Sequence, residues 1–209
     1  EARATMPNPP RKAGTETRPP ADTKRAVRAR LKAERLAIPP TRRASLDALI
    51  CAQLLDTLLK SDRPNRAVAM YVAHNGEPDV WPVAQRLLES NRVVYLPVLS
   101  GQALRFRRFD PDAPMTPNRF GIPEPVDQPS VAVAALDWVV MPLLGFGVSG
   151  ARLGLGGGFY DRTLAGLSAP GPVKAGVAYS FQQVDALPVE PWDVSMEVVV
   201  TDRGRLWVE

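Results

Sequence analysis

Seven of the 15 glycines in this 209-residue chain fall between Gly145 and Gly158, in the run LLGFGVSGARLGLGGGFYDR. One or two glycines suffice for a tight connection, so this density asks for a ligand. Gly145-Phe-Gly147-Val-Ser-Gly150 spells G-x-G-x-x-G after an apolar segment, as in a dinucleotide-binding turn. That motif needs a helix opening at its third glycine and an acid about 20 residues further on. Gly154, Gly156, Gly157 and Gly158 would break such a helix, and the next acid, Asp161, comes too early. No G-x-x-x-x-G-K-[ST] occurs, which excludes a Walker loop. What remains runs from Arg152 through the glycines to Phe159, Tyr160, Asp161 and Arg162. Closely spaced glycines let backbone N–H groups approach and cradle phosphate oxygens. Arg152 and Arg162 suit charge-assisted phosphate contacts, and Asp161 offers hard oxygen to Mg²⁺. By themselves these residues read as a nucleoside-triphosphate or sugar-phosphate site.

Basic residues are concentrated elsewhere. Residues 1–30 hold eight (Arg3, Arg11, Lys12, Arg18, Lys24, Arg25, Arg28, Arg30) against three acids, while the rest of the chain holds 18 basic and 19 acidic residues. The net charge of +4 therefore belongs to an N-terminal arm. A nucleic-acid footprint across the body is not implied. Residues 1–22 are rich in Pro, Arg and Thr, with almost no bulky apolar residue. Such a segment cannot offset its ordering entropy and is expected to be disordered. A helix is expected over 23–37, capped by Asp22, with Val27, Leu31 and Leu36 as a narrow apolar face. Lys24, Arg25, Arg28 and Arg30 crowd its first turns and oppose the helix dipole. That conflict reads either as a solvated charged face or as an anion held near this end.

The elements that must position these residues follow from periodicity. Pro39-Pro40 stops the first helix, and Thr41 is expected to cap a second. Its Leu46, Leu49, Ile50, Leu54, Leu55, Leu58 and Leu59 recur at helical spacing. Strand-like apolar runs follow at 67–73, 93–99, 104–109, 137–144, 173–179 and 196–201, with helices at 82–90 and near 160–167. This alternation argues for a three-layer α/β sandwich whose sheet is mostly parallel and covered on both faces. Ligands in such sheets sit outside the carboxyl ends of the strands. No run approaches the ~18 apolar residues of a membrane span. Cys51 stands alone, which excludes an intrachain disulfide and suits a reducing, cytoplasmic setting. It is read as an inert core residue, His74 as a loop residue, and Arg105, Arg107 and Arg108 as one solvated strand face.

The segment MPLLGFGVSGARLGLGGGFYDRTL closely resembles the signature of the 5-formyltetrahydrofolate cyclo-ligases, also called methenyltetrahydrofolate synthetases. Four more blocks agree in order. Lys24-Arg-Ala-Val-Arg28 is similar to the family's K-x-x-x-R, and Glu77 follows the first strand as the family's acid does. Phe120-Gly-Ile-Pro-Glu-Pro125 resembles its aromatic-x-I-x-[EQ]-P. Leu187-Pro188, Asp193 and Val198–Thr201 resemble its closing segment. The likeness runs over residues 23–202. Departures are few: Gly147 stands where the family usually has an acid, Phe159 where Tyr is commoner, and Phe120 where Trp is frequent.

The resemblance implies a Rossmann-like sandwich of the NagB/RpiA/CoA-transferase type, forming one domain over 23–209 behind the 1–22 arm. It implies an ATP- and Mg²⁺-dependent ligase that closes 5-formyltetrahydrofolate to 5,10-methenyltetrahydrofolate. Lys24, Arg28, Arg152, Gly154, Gly156, Gly157, Gly158 and Tyr160 would hold ATP. Val72, Glu77, Phe120, Leu155, Gly156, Gly158 and Phe159 would form the folate pocket. Asp161 and Asp193 would bind Mg²⁺, and Arg152, Tyr160 and Asp161 would carry catalysis. A monomer is expected, with neither nucleic acid nor membrane as partner. Two other readings stay open: a relative that binds folate or nucleotide without turnover, and a nucleic-acid module driven by the arm.

Overall fold

The β-branched runs of the sequence pair into one eight-stranded sheet. The computed structural model describes residues 23–208 except 63, 65, 168–170 and 186, so the 1–22 arm and the expected cap Asp22 lie outside the described residues. In chain order the strands are β1 (Ala67–Ala69), β2 (Val93–Ser100), β3 (Ala103–Arg108), β4 (Met115–Pro117), β5 (Pro123–Pro125) and β6 (Ser130–Val131). Then come β7 (Trp138–Pro142), β8 (Gly145–Phe146), β9 (Arg152–Leu153), β10 (Val173–Val177), β11 (Val198–Thr201) and β12 (Gly204–Trp207). The large sheet has the order β12-β11-β10-β7-β1-β2-β3-β6, while β4–β5 and β8–β9 form two small hairpins. The five central strands run parallel; β12, β3 and β6 are antiparallel edges. The mixed, mostly parallel α/β sheet read from the sequence is therefore present.

Among the described residues the α-helices are α1 (Lys24–Leu36), α2 (Pro40–Lys60), α3 (Trp81–Glu89) and α4 (Phe159–Leu164). Thr23 caps α1, its Oγ1 accepting from the Ala26 N–H at 3.3 Å. Thr41 does not cap α2. Pro39 precedes the helix and Pro40 takes its first position, where a fixed φ and a missing N–H are no loss. Leu36, Leu49 and Leu59 are about half exposed rather than core-facing, and on α1 it is Arg35 that takes the buried place after Val27 and Leu31.

Alternate residues of the central strands feed two cores. Val68, Met70, Trp138, Val140, Ala175 and Val198 pack against Ile50, Leu54 and Leu58 of α2 and Val83, Ala84 and Leu87 of α3. Ala69, Val139, Met141 and Val199 pack on the other face against Phe146, Leu164 of α4 and Met196. The second cover is thin, resting on the six-residue α4 and on loops. Helix α1 stands apart from both, burying Val27 and Leu31 against Leu153 of β9.

Strand β1 stops three residues in, although apolar residues continue to Ala73. The Met70 N–H still reaches the Tyr95 carbonyl, at 2.9 Å. Beyond it the chain leaves the ladder and turns at Asn75 and Gly76, both at positive φ.

Candidate functional site

The neighbouring strands β1 and β7 continue into crossovers on opposite sides, β1 through α3 to β2 and β7 through α4 to β10. The loops beyond such a pair part and leave a crevice at their carboxyl ends. A cavity of about 830 Å³ opens there, between Tyr71-Val72 after β1 and Pro142-Leu143 at the end of β7. That volume lies in the upper part of the usual small-molecule range of about 300–1,000 Å³.

The glycine loop forms one wall. Arg152 leaves β9 with its guanidinium folded back over the loop, and Nη2 donates to Asp161 Oδ1 at 2.7 Å. A Cβ on Gly154 would stand 2.9 Å from Arg152 Nη1, so a side chain there would make the guanidinium shift. Gly156 has φ +102°, a conformation essentially closed to side-chain-bearing residues. From α1, Arg28 Nε donates to the Gly154 carbonyl at 2.9 Å, and Lys24 Nζ pairs with Asp193 Oδ2 at 2.6 Å. The Glu190 and Val194 N–H groups then donate to Asp193 Oδ2 and Asp161 Oδ1, at 2.9 and 3.2 Å. An unbroken series of contacts therefore runs from Lys24 through Asp193 and Asp161 to Arg152. The two readings of the basic helix start divide by residue. Lys24 and Arg28 turn to the site, while Arg25 and Arg30 are exposed.

Asp161 and Asp193 suit a divalent cation by donor type. Each commits one oxygen to a cationic side chain and a backbone N–H, and among the described residues the other oxygen accepts no hydrogen bond. No group of three or more His, Cys, Asp or Glu gathers among the described residues. That donor set fits Mg²⁺, which binds through one or two carboxylates and completes its shell with phosphate and water.

The other wall is apolar and aromatic. Glu77 is only 6% exposed, and its Oε2 accepts from the His74 N–H at 3.0 Å. Burial pushes its carboxyl up to about 7, against the pull of Arg35 and the His74 hydrogen bond. The phenols of Tyr71 and Tyr160 are buried near it and held well above their usual range, first by burial and then by the Glu77 charge. Phe120 rides on the β4–β5 hairpin. Asn118 Oδ1 accepts from the Phe120 N–H at 2.8 Å, and Glu124 Oε1 accepts from Asn118 Nδ2 at 2.7 Å and the Leu99 N–H at 2.9 Å. The half-exposed ring meets Phe159 edge-on at 6.0 Å, with the Arg119 guanidinium over both.

Two arginines depart from expectation. Arg162 lines the cavity with two of its donors already engaged: Nη2 donates to the Gly157 carbonyl, Nε donates to the Gln102 carbonyl at 2.6 Å, and the group lies over Phe159. Arg107 is not on a solvated face, since Nη1 donates to the Pro125 carbonyl at 3.0 Å and fastens the hairpin. Cys51 is partly buried against the α2–α3 core, as expected, and burial raises its thiol to about 11, where it is inert.

The 5-formyltetrahydrofolate cyclo-ligase family model matches residues 20–202. The chain belongs to this family. It is 41% identical over 143 residues to a 5-formyltetrahydrofolate cyclo-ligase of Haemophilus influenzae, covering 66% of this chain and 76% of that protein. It is 39% identical over 145 residues to one of Escherichia coli K12, covering 67% and 79%. Among solved structures, the Aquifex aeolicus 5,10-methenyltetrahydrofolate synthetase superposes with a TM-score of 0.78 at 29% identity, over 89% of this chain and 93% of that one.

The residues of this cyclo-ligase to which the resemblance gives a site role all line this cavity, from Lys24 and Arg28 to Val72, Glu77, Phe120, Gly154–Asp161 and Asp193. Gly147 does not line it, and a Cβ there would meet nothing nearer than 3.7 Å. Sequence reasoning missed Arg119, the exposed Trp192 at the cavity, and Arg35. Trp192 was visible only as a neighbour of Asp193, and Arg35 gave no signal among six other charged positions of a basic helix.

Proposed function

We propose that this enzyme closes 5-formyltetrahydrofolate to 5,10-methenyltetrahydrofolate with ATP as co-substrate, releasing ADP and phosphate. The observation that carries the proposal is that a phosphate-type glycine loop and a buried acid with an aromatic flap share one cavity. The formyl oxygen is a poor leaving group. Transfer of the γ-phosphoryl group to that oxygen makes it a good one. N10 then attacks the formyl carbon, the C–O bond breaks, phosphate leaves and the N10 proton is lost to solvent.

Lys24, Arg28 and Arg152, with the N–H groups of Gly154, Gly156, Gly157 and Gly158, hold the triphosphate and stabilise the charge that spreads during transfer. Glu77 accepts from the N–H edge of the pterin, while Val72, Phe120, Leu155 and Phe159 cover its faces. Tyr160 lies where the two ligands meet, beside Glu77 and under the Arg152 guanidinium. Mg²⁺, when bound by Asp161 and Asp193, neutralises phosphate charge. No side chain acts as covalent nucleophile, so the rate enhancement rests on positioning and electrostatics. Among the described residues no helix is long and apolar enough to cross a membrane.

The test follows methenyltetrahydrofolate absorbance from 5-formyltetrahydrofolate, with and without ATP and Mg²⁺, beside an Asp161→Asn control. Growth that requires both and exceeds the control supports the assignment. Calorimetric binding of 5-formyltetrahydrofolate with no product in any condition selects a binding protein without turnover instead.

A further inference from the structure

Arg35 is fully buried in a helix that otherwise buries only Val27 and Leu31. Arginine is almost never fully buried unless paired, so its neighbours matter. Nε donates to the Asn75 carbonyl and Nη1 to the Leu143 carbonyl, each at 3.1 Å. These carbonyls belong to the two loops that form the crevice, one after β1 and one at the end of β7, and both residues line the cavity. Nη2 is buried with no hydrogen-bond partner among the described residues. The acid whose charge Arg35 feels is Glu77, two residues beyond Asn75. Arg43 of α2 closes the arrangement from behind. Its Nη2 donates to the Arg35 carbonyl at 2.9 Å, and a Cβ on Gly76 would come within 2.6 Å of its Nη1.

We propose that Arg35 is a positioning residue for folate, acting through Glu77: it pins the Asn75–Glu77 turn against the end of β7 and sets a buried positive charge behind the Glu77 carboxylate. The role rests on the folate reading of the cavity given above. A bidentate tie to two separate loops is what guanidinium supplies and a lysine cannot, because the planar fork fixes both donors at once. The charge serves a second purpose. Burial favours the neutral carboxyl of Glu77, and Arg35 is the leading influence that favours the anion able to accept two pterin N–H groups. The groups facing Glu77 are Arg35 from α1, Tyr71 from the loop after β1 and Tyr160 from α4, with the His74 N–H bonded to its oxygen. Of these, Arg35 alone is cationic.

The test compares wild type, Arg35→Met and Arg35→Lys for 5-formyltetrahydrofolate binding by fluorescence between pH 5.5 and 9, and for both KM values. Arg35→Met is expected to weaken folate binding at pH 7 at least tenfold, to move the pH midpoint of binding upward by about one unit, and to leave the KM for ATP within twofold. Arg35→Lys keeps the charge and loses the fork, so its midpoint stays near that of wild type while its folate affinity falls. In a Glu77→Gln background, removing Arg35 shifts no midpoint. An unmoved midpoint in Arg35→Met overturns the proposal, as does a parallel rise of both KM values, which marks general loosening. If Arg35→Met does not fold, full folate affinity in Arg35→Lys overturns it equally. Because binding is read directly, absence of turnover in the wild type tells against the proposed reaction and leaves the Arg35 result readable. Absence of folate binding in the wild type tells against both.

Discussion

Lys24 Nζ lies 2.6 Å from Asp193 Oδ2, joining the first residue of α1 to a loop 169 positions later. In the proposed reaction these groups serve different masters, the lysine a phosphate and the aspartate Mg²⁺. Bound to each other, they compensate each other's charge at the cavity wall. Nucleotide binding then exchanges one set of partners for another of the same kind, which limits the desolvation that either charge must bear.

That pair has a calculable effect on acid stability. Burial disfavours the Asp193 carboxylate, but the hydrogen bonds from Lys24 and the Glu190 N–H outweigh it and hold the carboxyl below its ordinary value of 3.8. A lowered folded value means stability that is present above pH 3.8 and lost as pH falls through the folded value. Asp193→Asn should therefore lower unfolding free energy by about 1 kcal/mol or less at pH 7, and the difference from wild type should shrink towards pH 3. Urea titrations at the two pH values measure it. The KM for ATP should rise about tenfold in the same variant, a loss of about 1.4 kcal/mol of binding.

Glu77 works in the opposite direction. Its carboxyl titrates near 7 in the fold against 4.5 when unfolded, so between these values the native state holds a proton that the unfolded chain has released. Wild-type stability should fall as pH rises through this window, by on the order of 3 kcal/mol. Glu77→Gln should flatten that part of the profile while weakening folate binding. A thermal-melt series from pH 4.5 to 8 separates the two; an equally steep slope in the variant would assign the pH dependence to another group.

One carboxylate ties the turn of the flap to the sheet. Glu124 holds both Asn118 and the edge of β2, and so fixes the turn that carries Phe120. Glu124→Ala is expected to raise the KM for 5-formyltetrahydrofolate about tenfold, to leave that for ATP within twofold, and to change stability by about 1–2 kcal/mol. Steady-state kinetics with each substrate varied in turn reads this split.

Two glycines should respond differently to alanine. In β10, a Cβ on Gly176 would overlap the Met196 sulfur and press on Leu143, so Gly176→Ala should cost about 1–3 kcal/mol. At Gly147 the added methyl would meet only ordinary contacts, and Gly147→Ala should change stability by less than about 1 kcal/mol. Differential scanning calorimetry of the pair suffices.

The glycine loop was legible because its residue types betray a phosphate-binding chemistry, and Lys24 and Arg28 because they oppose the helix dipole, whereas Glu77 and Asp193 stood out only through the resemblance to the family's blocks. The parallel sheet was legible because strands buried on both faces must be apolar throughout, as in Trp138–Met141. The flap was not. No strand was expected between 110 and 136, and the pairing of β4 with β5 gains its anchor from Leu99 and Arg107, far away in sequence. Nor was Arg35, whose burial is decided by carbonyls 40 and 108 positions distant. Helical periodicity placed Leu36 inside, but the packing instead turns Arg35 to the loops and Leu36 to solvent. Such assignments depend on tertiary neighbours, which local pattern cannot reveal.

The strand order has a consequence for synthesis. On the ribosome β1 emerges early and pairs on one side with β2, but its other neighbour is β7, which begins only at Trp138. A nascent chain halted before that point carries a valine-containing strand with one open edge, a template for unwanted pairing. It also lacks Leu143, Gly154 and Asp193, so Arg35, Arg28 and Lys24 have yet to meet these partners. A pause after β2 and before β7 should thus be a hazardous interval in the making of this enzyme.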